Sequence, residues 1–388
     1  MRLWFPGKKI IINKRTESYD SGGESGFRGK SQCGMPNHKR RLDDTQHYQI
    51  DTDHLFNKIY KPVDLLGEGT FARVVHMIDT TNQQSFAVKV IKKNKKYALE
   101  AKFEAMLLNK INKDAPTSFP IPKIIETFSQ FEHFCIVMPK LGQSLYESQR
   151  QFKRNKARSW QSMRTIAYIA RDCFKALQYI HEMGFAHTDI KMENILFRGP
   201  CDPCNKDESP QATQFYIVDF GGAVICTEKP LSHLVCTRQY RPPEVTLELY
   251  WGQKVDMWSM GCVLAECVTC ELLFKTHDEI EHLALMERML GALPKNMCEK
   301  SRMRGWKRNF VHGKLQWPEL ALDQQMVDHV RAQPRLRDCL SVNYDFRSCN
   351  NNDFIDLVGK LLECDPYYRL SAHDALRHPL LEFEEKTK

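Results

Sequence analysis

Between Ile59 and Lys93 the chain reads IYKPVDLLGEGTFARVVHMIDTTNQQSFAVKVIKK, with apolar and polar residues alternating and valine and isoleucine frequent. A period of two sends successive side chains to opposite faces, so this stretch predicts an antiparallel meander that turns at TTNQQ. The period then lengthens. Phe103, Met106, Leu107 and Ile111 recur at helical spacing and predict one helix with that stripe facing inward. HFCIVMPKLG, His133 to Gly142, predicts another strand that ends in a proline-containing connector. From about Ser162 the helical period dominates: Ile166, Ile169, Ala170, Cys173, Leu177 and Ile180 form one stripe, stopped at Gly184. The pattern therefore predicts an α+β chain: a small antiparallel sheet lobe with one main helix, a short hinge and a large, mostly helical lobe. A crevice between two lobes is a natural place for a small ligand.

Residues 1–55 break this picture. They are rich in Gly, Ser, Lys and Arg, show no periodicity, and read as a disordered basic and polar tail. The ordered domain is expected over 60–383, with the small lobe at about 60–141 and the large one at about 142–383. No internal repeat is visible. The apolar run from Met257 to Phe274 is interrupted by Ser259, Glu266 and Glu271, so it reads as a buried helix and no membrane span is expected. Pro6, Gly7, Lys8 and Lys9 break the N-terminal apolar stretch, which argues against a secretory signal.

Composition sharpens this outline. The 388 residues are 42 % hydrophobic and 27 % charged, enough apolar mass for a two-lobed core. The net charge of +8 favours acidic partners such as nucleotides but establishes no direct nucleic-acid binding. Fourteen cysteines without a signal point to reduced thiols in cytosol or nucleus. CDPC, Cys201 to Cys204, is a close pair without a second pair at zinc spacing, and reads as two loop thiols. HKRR, His38 to Arg41, is a candidate nuclear import patch, giving a nuclear location with a cytoplasmic alternative.

Candidate chemistry lies in four places. The turn LLGEGTFARVV places Leu66, Gly67, Glu68, Gly69, Thr70, Phe71, Ala72, Arg73 and Val74 between two strands. Glycines there let backbone amides approach an anion such as a phosphate. Lys89, in FAVKV after Ala87, lies in mid-strand and needs a partner, because an unpaired buried charge is costly. Glu100 and Glu104, four apart on the next helix, are both candidates. FAHTDIKMENILF supplies Asp189 as an acceptor for a hydroxyl proton, Lys191 as a cation for a moving phosphoryl group, and the Asn194 amide oxygen for Mg²⁺. YIVDFGGA ends an apolar strand at Asp219, a second hard-oxygen ligand for Mg²⁺.

In this order, these motifs resemble a eukaryotic protein kinase from about Tyr60 to Leu381. The glycine loop, AVK, the helix glutamate, HTDIKMEN, DFG, PPE and DMWSMG all occur in sequence. More narrowly the chain resembles the LAMMER, or CDC-like, dual-specificity kinases, whose naming motif here reads EHLALMERMLG, Glu281 to Gly291, with Leu285 replacing one methionine. HTD, VCTRQYRPPEV and DPYYRLSAHDALRHP are also similar to that family. The resemblance implies the two-lobed kinase fold, ATP and Mg²⁺. It selects Glu104, fifteen residues beyond Lys89, as the ion-pair partner. Met138 is expected at the back of the adenine pocket, with backbone groups of Pro139 and Leu141 facing adenine. Arg369 is expected to pair with Glu244, and Asp256 to hold the catalytic loop from beneath.

Thr188 stands where many kinases carry a phosphate-binding arginine. Without that fork, the segment Asp219–Glu244 is expected to be held by neutral packing and by pairs such as those of Arg241, with no required phosphate. Met192 replaces a common proline and is expected to loosen its turn. Leu283, Met286 and Leu290 of the LAMMER segment lie at helical spacing and are expected in the core. The function implied is ATP-dependent transfer to Ser/Thr hydroxyls, with Tyr autophosphorylation, by a monomer acting on proteins such as Arg/Ser-rich splicing factors. Glu147, Asp202, Asp207 and Glu208 are candidates for a groove that binds basic substrates. A pseudokinase scaffold is the alternative, suggested by Ala72, Thr188 and Met192. A metabolite kinase is disfavoured by RQYRPPEV, which looks like a platform for peptides.

Overall fold

A computed structural model describes residues 47–116, 119–155, 162–199, 214–226, 231–341 and 351–382. The HKRR patch, the CDPC pair and the acidic candidates Asp202, Asp207 and Glu208 lie outside these residues.

The alternating stretch forms strands β1 (Tyr60–Glu68), β2 (Ala72–Asp79) and β3 (Ser85–Ile91), joined in one sheet by β4 (Glu126–Gln130) and β5 (His133–Pro139). The spatial order is β1-β2-β3-β5-β4 and every pair is antiparallel. Register decides which side chains share a face, because directly opposed residues point the same way. Val74 faces Lys89, Lys89 faces Ile136, and Ala87 faces Met138. These residues line one face. Arg73, Val75, Val88 and Val90 lie on the other.

The second face is covered by a segment expected to be tail. Tyr48 and Phe56 are buried in one cluster with Val75, Met77, Val88, Val90, Cys135 and Val137. Phe56 has no exposed surface, and burying such a ring contributes roughly 1.5–3 kcal/mol. Residues 47–56 are therefore a strap on the sheet. Isolated aromatics with distant partners leave no periodic trace in sequence.

Helix α1 (Lys95–Asp114) is capped by the Asn94 side chain, which accepts from the amide of Lys96. Its inward face is Ala101, Glu104, Ala105, Leu107, Leu108 and Ile111. Met106, expected inside, is half exposed. The small side chains of Ala101 and Ala105 take the face toward the sheet, which turns Met106 outward.

The large lobe starts with α2 (Leu145–Asn155), a polar helix that the sequence pattern did not reveal. Its N-terminus is closed by a capping box: Glu147 Oε2 accepts from the Ser144 amide at 2.9 Å, and the Ser144 hydroxyl accepts from the Glu147 amide at 3.1 Å. Glu147 thus serves a helix end, against its expected place in an acidic groove. The predicted stripe from Ile166 to Ile180 is fully buried on α3 (Met163–Glu182), and Gly184 follows at φ +85°. After the short helix α4 (Pro243–Thr246) comes α5 (Lys254–Thr269), in which every residue from Val255 to Val268 is buried. It ends five residues before the expected Phe274, where Cys270 turns left-handed at φ +58°. The LAMMER segment lies on α6 (Glu279–Leu290), with Leu283 and Met286 fully buried and Leu290 packed at the edge of the same core. As expected, this stripe is core.

Arg369 sends two nitrogens to Glu244 at 2.7 and 2.8 Å, with both side chains at most 1 % exposed. Its guanidinium also donates to the carbonyls of Glu363 and Lys254 and lies 5.1 Å from the Trp258 ring. This ties α4 to the C-terminal part of the lobe, as the family resemblance implies.

Candidate active site

The cleft-facing side of the sheet carries Lys89. Its ammonium donates to both oxygens of Glu104 at 2.8 Å and to Asp219 Oδ1 at 2.8 Å. Glu104 is 3 % exposed, whereas Glu100 is only half-buried and makes no such contact. The geometry thus selects between the two acids. Burial opposes a charge on Lys89, but Asp219 and Glu104 outweigh it and hold the ammonium above its ordinary range. The same ammonium holds the Asp219 carboxyl well below the usual carboxylate range.

Asp219 is itself left-handed, at φ 64° and ψ 74°. That conformation is uncommon outside glycine and is tolerated best by Asp and Asn. A Cβ at Gly221 would come within 3.3 Å of Asp219 Oδ1 and 3.4 Å of Glu104 Oε2, so the following glycine leaves room for the acid cluster. The Val218 amide donates to the Asn194 carbonyl at 3.0 Å, which sets Asp219 beside Asn194.

The loop from Ala186 to Asn194 hangs on a single carboxylate. Asp256, fully buried on α5, accepts from the amides of His187 and Thr188 at 2.8 Å each, and contacts His181 Nε2 at 2.9 Å. Asp189 then faces the cleft. Its Oδ2 accepts from Lys191 Nζ at 2.8 Å, and Asn194 Nδ2 donates to the Asp189 carbonyl at 2.8 Å and to Oδ2 at 3.2 Å. The amide nitrogen of Asn194 is thereby committed, and its oxygen is the atom left for a cation.

Sequence reasoning missed Thr237. Its hydroxyl donates to Asp189 Oδ1 at 2.7 Å and lies 3.4 Å from Lys191 Nζ, so it fixes the second carboxylate oxygen. Its place in VCTRQYR, three residues before Tyr240, was the available signal. His187 was missed as well: its ring meets Phe220 edge to face at 4.8 Å and Val218 O at 3.1 Å, joining the two loops.

Thr188 bonds Gly222 O through its hydroxyl at 2.7 Å, while its own φ is +66°. A β-branched residue there is strained, and the Asp256 and Gly222 bonds hold it. Arg241 donates to the carbonyls of Val235 at 3.0 Å and Cys236 at 3.1 Å. Both of these partners are backbone carbonyls, and burial lowers its affinity for the proton. Met192, expected to loosen its turn, is fully buried in the main core with Cys267 Sγ 3.8 Å from its sulfur. Packing there replaces the rigidity of proline. Tyr240 donates to buried Glu266 at 2.6 Å, and burial pushes the Glu266 carboxyl up to about 7.

The remaining sequence candidates surround this cluster. Leu66 and Phe71 are exposed, Ala72 is buried, and Glu68, Gly69 and Thr70 form the exposed tip, closed by the Gly69 amide on Ala72 O at 2.9 Å. An added Cβ at Gly67 would meet nothing within 4 Å, and one at Gly69 only Ala72 O at 3.8 Å. Val74, Ala87, Met138, Pro139 and Leu141 are half-buried along the cleft face and the connector. Arg73 is the exception, since it lies on the opposite face.

The protein kinase domain family matches residues 60–381. The chain belongs to the protein kinase family, in its LAMMER branch. It is 36 % identical over 349 residues to the serine/threonine-protein kinase AFC3 of Arabidopsis thaliana, covering 87 % of this chain and 85 % of that one. It is 36 % identical over 346 residues to the dual specificity protein kinase CLK1 of Mus musculus, covering 87 % of this chain and 69 % of that one. A crystal structure of a kinase domain superposes with a TM-score of 0.76 at 32 % identity, covering 88 % of this chain and all of that one. The fold of this kinase is thus the two-lobed one expected.

Proposed function

We propose that this kinase transfers the γ-phosphate of Mg-ATP to Ser and Thr hydroxyls of proteins and to its own Tyr, using the cluster centred on Asp189. The observation that carries it is the arrangement of Asp189, held by Thr237 and Lys191, beside Asn194 and the Lys89–Asp219 pair. The donor set fits: one carboxylate and one amide oxygen suit a hard cation that keeps waters and phosphate oxygens as its other ligands. Bound between them, Mg²⁺ would neutralise charge on the phosphates.

Asp189 orients the substrate hydroxyl and receives its proton, and Thr237 keeps the carboxylate turned toward it. Lys191 offsets charge on the transferred group, and Lys89, aimed by Glu104, holds the phosphates. Gly67 and Gly69, open above the cleft, let the backbone of residues 66–72 cover them. Val74, Ala87 and Met138 would pack against adenine, with the Pro139 carbonyl and the Leu141 backbone available to its edge. Proline has no amide, so only its carbonyl serves.

The pseudokinase reading loses its support. Thr188 has a bonded role, Met192 is packed, and Ala72 is buried in the loop's base.

Arg/Ser-rich proteins remain the proposed substrates, and a nuclear monomer the proposed form. The relatives' names support the hydroxyl specificity, and the HKRR patch supports the location. An Arg-Ser repeat peptide should be phosphorylated at least tenfold more efficiently, in kcat/KM, than one with lysine-free neutral spacers, a difference of about 1.4 kcal/mol. Equal efficiency would remove the basic-substrate reading.

The neutral Thr188–Gly222 bond and the carbonyl bonds of Arg241 hold the segment after Asp219 without a phosphate. Phosphatase-treated enzyme should keep most of its initial rate. Loss of most activity, restored by autophosphorylation, would show that a phosphate is needed.

A further inference from the structure

The strap on the outer face of the small lobe meets the glycine-rich loop at Arg73 and Glu68. Strand alternation sends Arg73 away from the cleft, toward the strap. There its Nη1 donates to the Tyr48 carbonyl at 2.8 Å and its Nη2 to Glu68 Oε1 at 2.9 Å. Glu68 stands between Gly67 and Gly69 and faces Arg73 in the β1–β2 register. Buried His47 lies 3.9 Å from the same Glu68 oxygen.

The strap end of this bridge is fixed. Tyr48 meets Phe56 edge to face at 4.8 Å and His133 at 5.9 Å, and its hydroxyl accepts from the Asp51 amide at 3.0 Å. Gln130 donates to the Leu55 carbonyl at 2.8 Å and accepts from the Asn57 amide at 2.6 Å. At the loop end the Phe71 ring meets Tyr97 at 4.8 Å and its carbonyl accepts from the Lys92 amide at 2.9 Å, while the side chains of Glu68 and Thr70 stay exposed. A guanidinium fork that grips both is suited to limit the loop's excursions.

We propose that Arg73, seated on the Tyr48 strap, is a positioning residue that holds the glycine-rich loop in its closed register through Glu68. It makes no contact with nucleotide. Its effect is preorganisation: the ordering cost of closing the loop over phosphates is met within the fold before ligand arrives. The proposal rests on the reading of residues 66–72 as a phosphate cover.

The test compares ATP, with Mg²⁺, and adenosine by calorimetry on the full chain. Arg73→Met keeps the aliphatic stem and removes both bonds. It should weaken ATP binding about three- to tenfold, the range of a partly exposed charged hydrogen bond, with adenosine affinity within about twofold of wild type. KM for ATP should rise by the same factor and kcat should change less. Tyr48→Ala, remote from any nucleotide-facing element, should give the same selective loss, and the combined variant should be little worse than Arg73→Met alone. An unchanged ratio of ATP to adenosine affinity in both variants overturns the proposal. So does a parallel loss of both ligands, which would mean general damage to the lobe. A wild-type chain that binds ATP no more tightly than adenosine overturns the phosphate-cover reading itself, and the strap's role with it.

Discussion

Asp189→Asn should lower kcat by about 10²–10⁴-fold, the usual worth of a positioned general base, and leave the fold intact. The reason is local. Asparagine keeps the shape and can still accept from Thr237 or Lys191, so the loop hung on Asp256 has no cause to move. What disappears is the proton acceptor and the negative charge paired with Lys191. KM for ATP should change little, because the nucleotide contacts proposed above fall on Lys89, Asp219 and the glycine loop, which the change leaves alone. Lys89→Arg should also abolish turnover, since a planar fork cannot reproduce a point charge held at 2.8 Å by two separate acids. Melting curves and initial rates on the same samples decide it. Turnover near wild type in either variant would contradict the assignment.

Arg369→Met should be the most damaging change to stability. It leaves the Glu244 carboxylate 1 % exposed with its paired cation gone. Breaking a buried pair on one side costs about 3–5 kcal/mol, because the remaining charge cannot return to water. For a domain of this size that corresponds to a fall in Tm on the order of 10 °C. Three backbone carbonyls, of Glu363, Lys254 and Cys364, lose their donor as well. Adding Glu244→Gln to Arg369→Met should recover part of the loss, since it removes the orphaned charge. Thermal melts of the single and double variants measure the coupling directly. A single variant within about 1 kcal/mol of wild type would show that this pair is not what ties α4 to the lobe.

Much of this was legible before any coordinates. The period-two stretch and the Ile166–Ile180 stripe became β1–β3 and α3 because each period matches the way that element sends its side chains to a face. The candidate site residues Lys89, Asp189, Asn194 and Asp219 stood out because polar and charged groups interrupt apolar runs. Three things were not legible. The strap is held by Tyr48 and Phe56 against partners on other strands, such as Val75, Phe128 and His133, so no local pattern marks it. Helix α1 was expected to bury its bulkiest side chains, but close approach to the sheet favours Ala101 and Ala105 and expels Met106. Thr237 and Arg241 act on a side-chain oxygen and on backbone carbonyls across a turn, and spacing alone cannot assign such partners.

The central claim is that Asp189, Asn194 and Asp219 act together on a magnesium nucleotide. The most direct measurement is transfer of labelled γ-phosphate to a Ser-containing peptide by purified full-length chain, with Mg²⁺ and after chelation, beside Asp219→Asn. We expect transfer by the wild type with Mg²⁺ and none above background after chelation or in the variant. Undiminished transfer by Asp219→Asn, or a wild-type chain that never consumes ATP, would contradict the account.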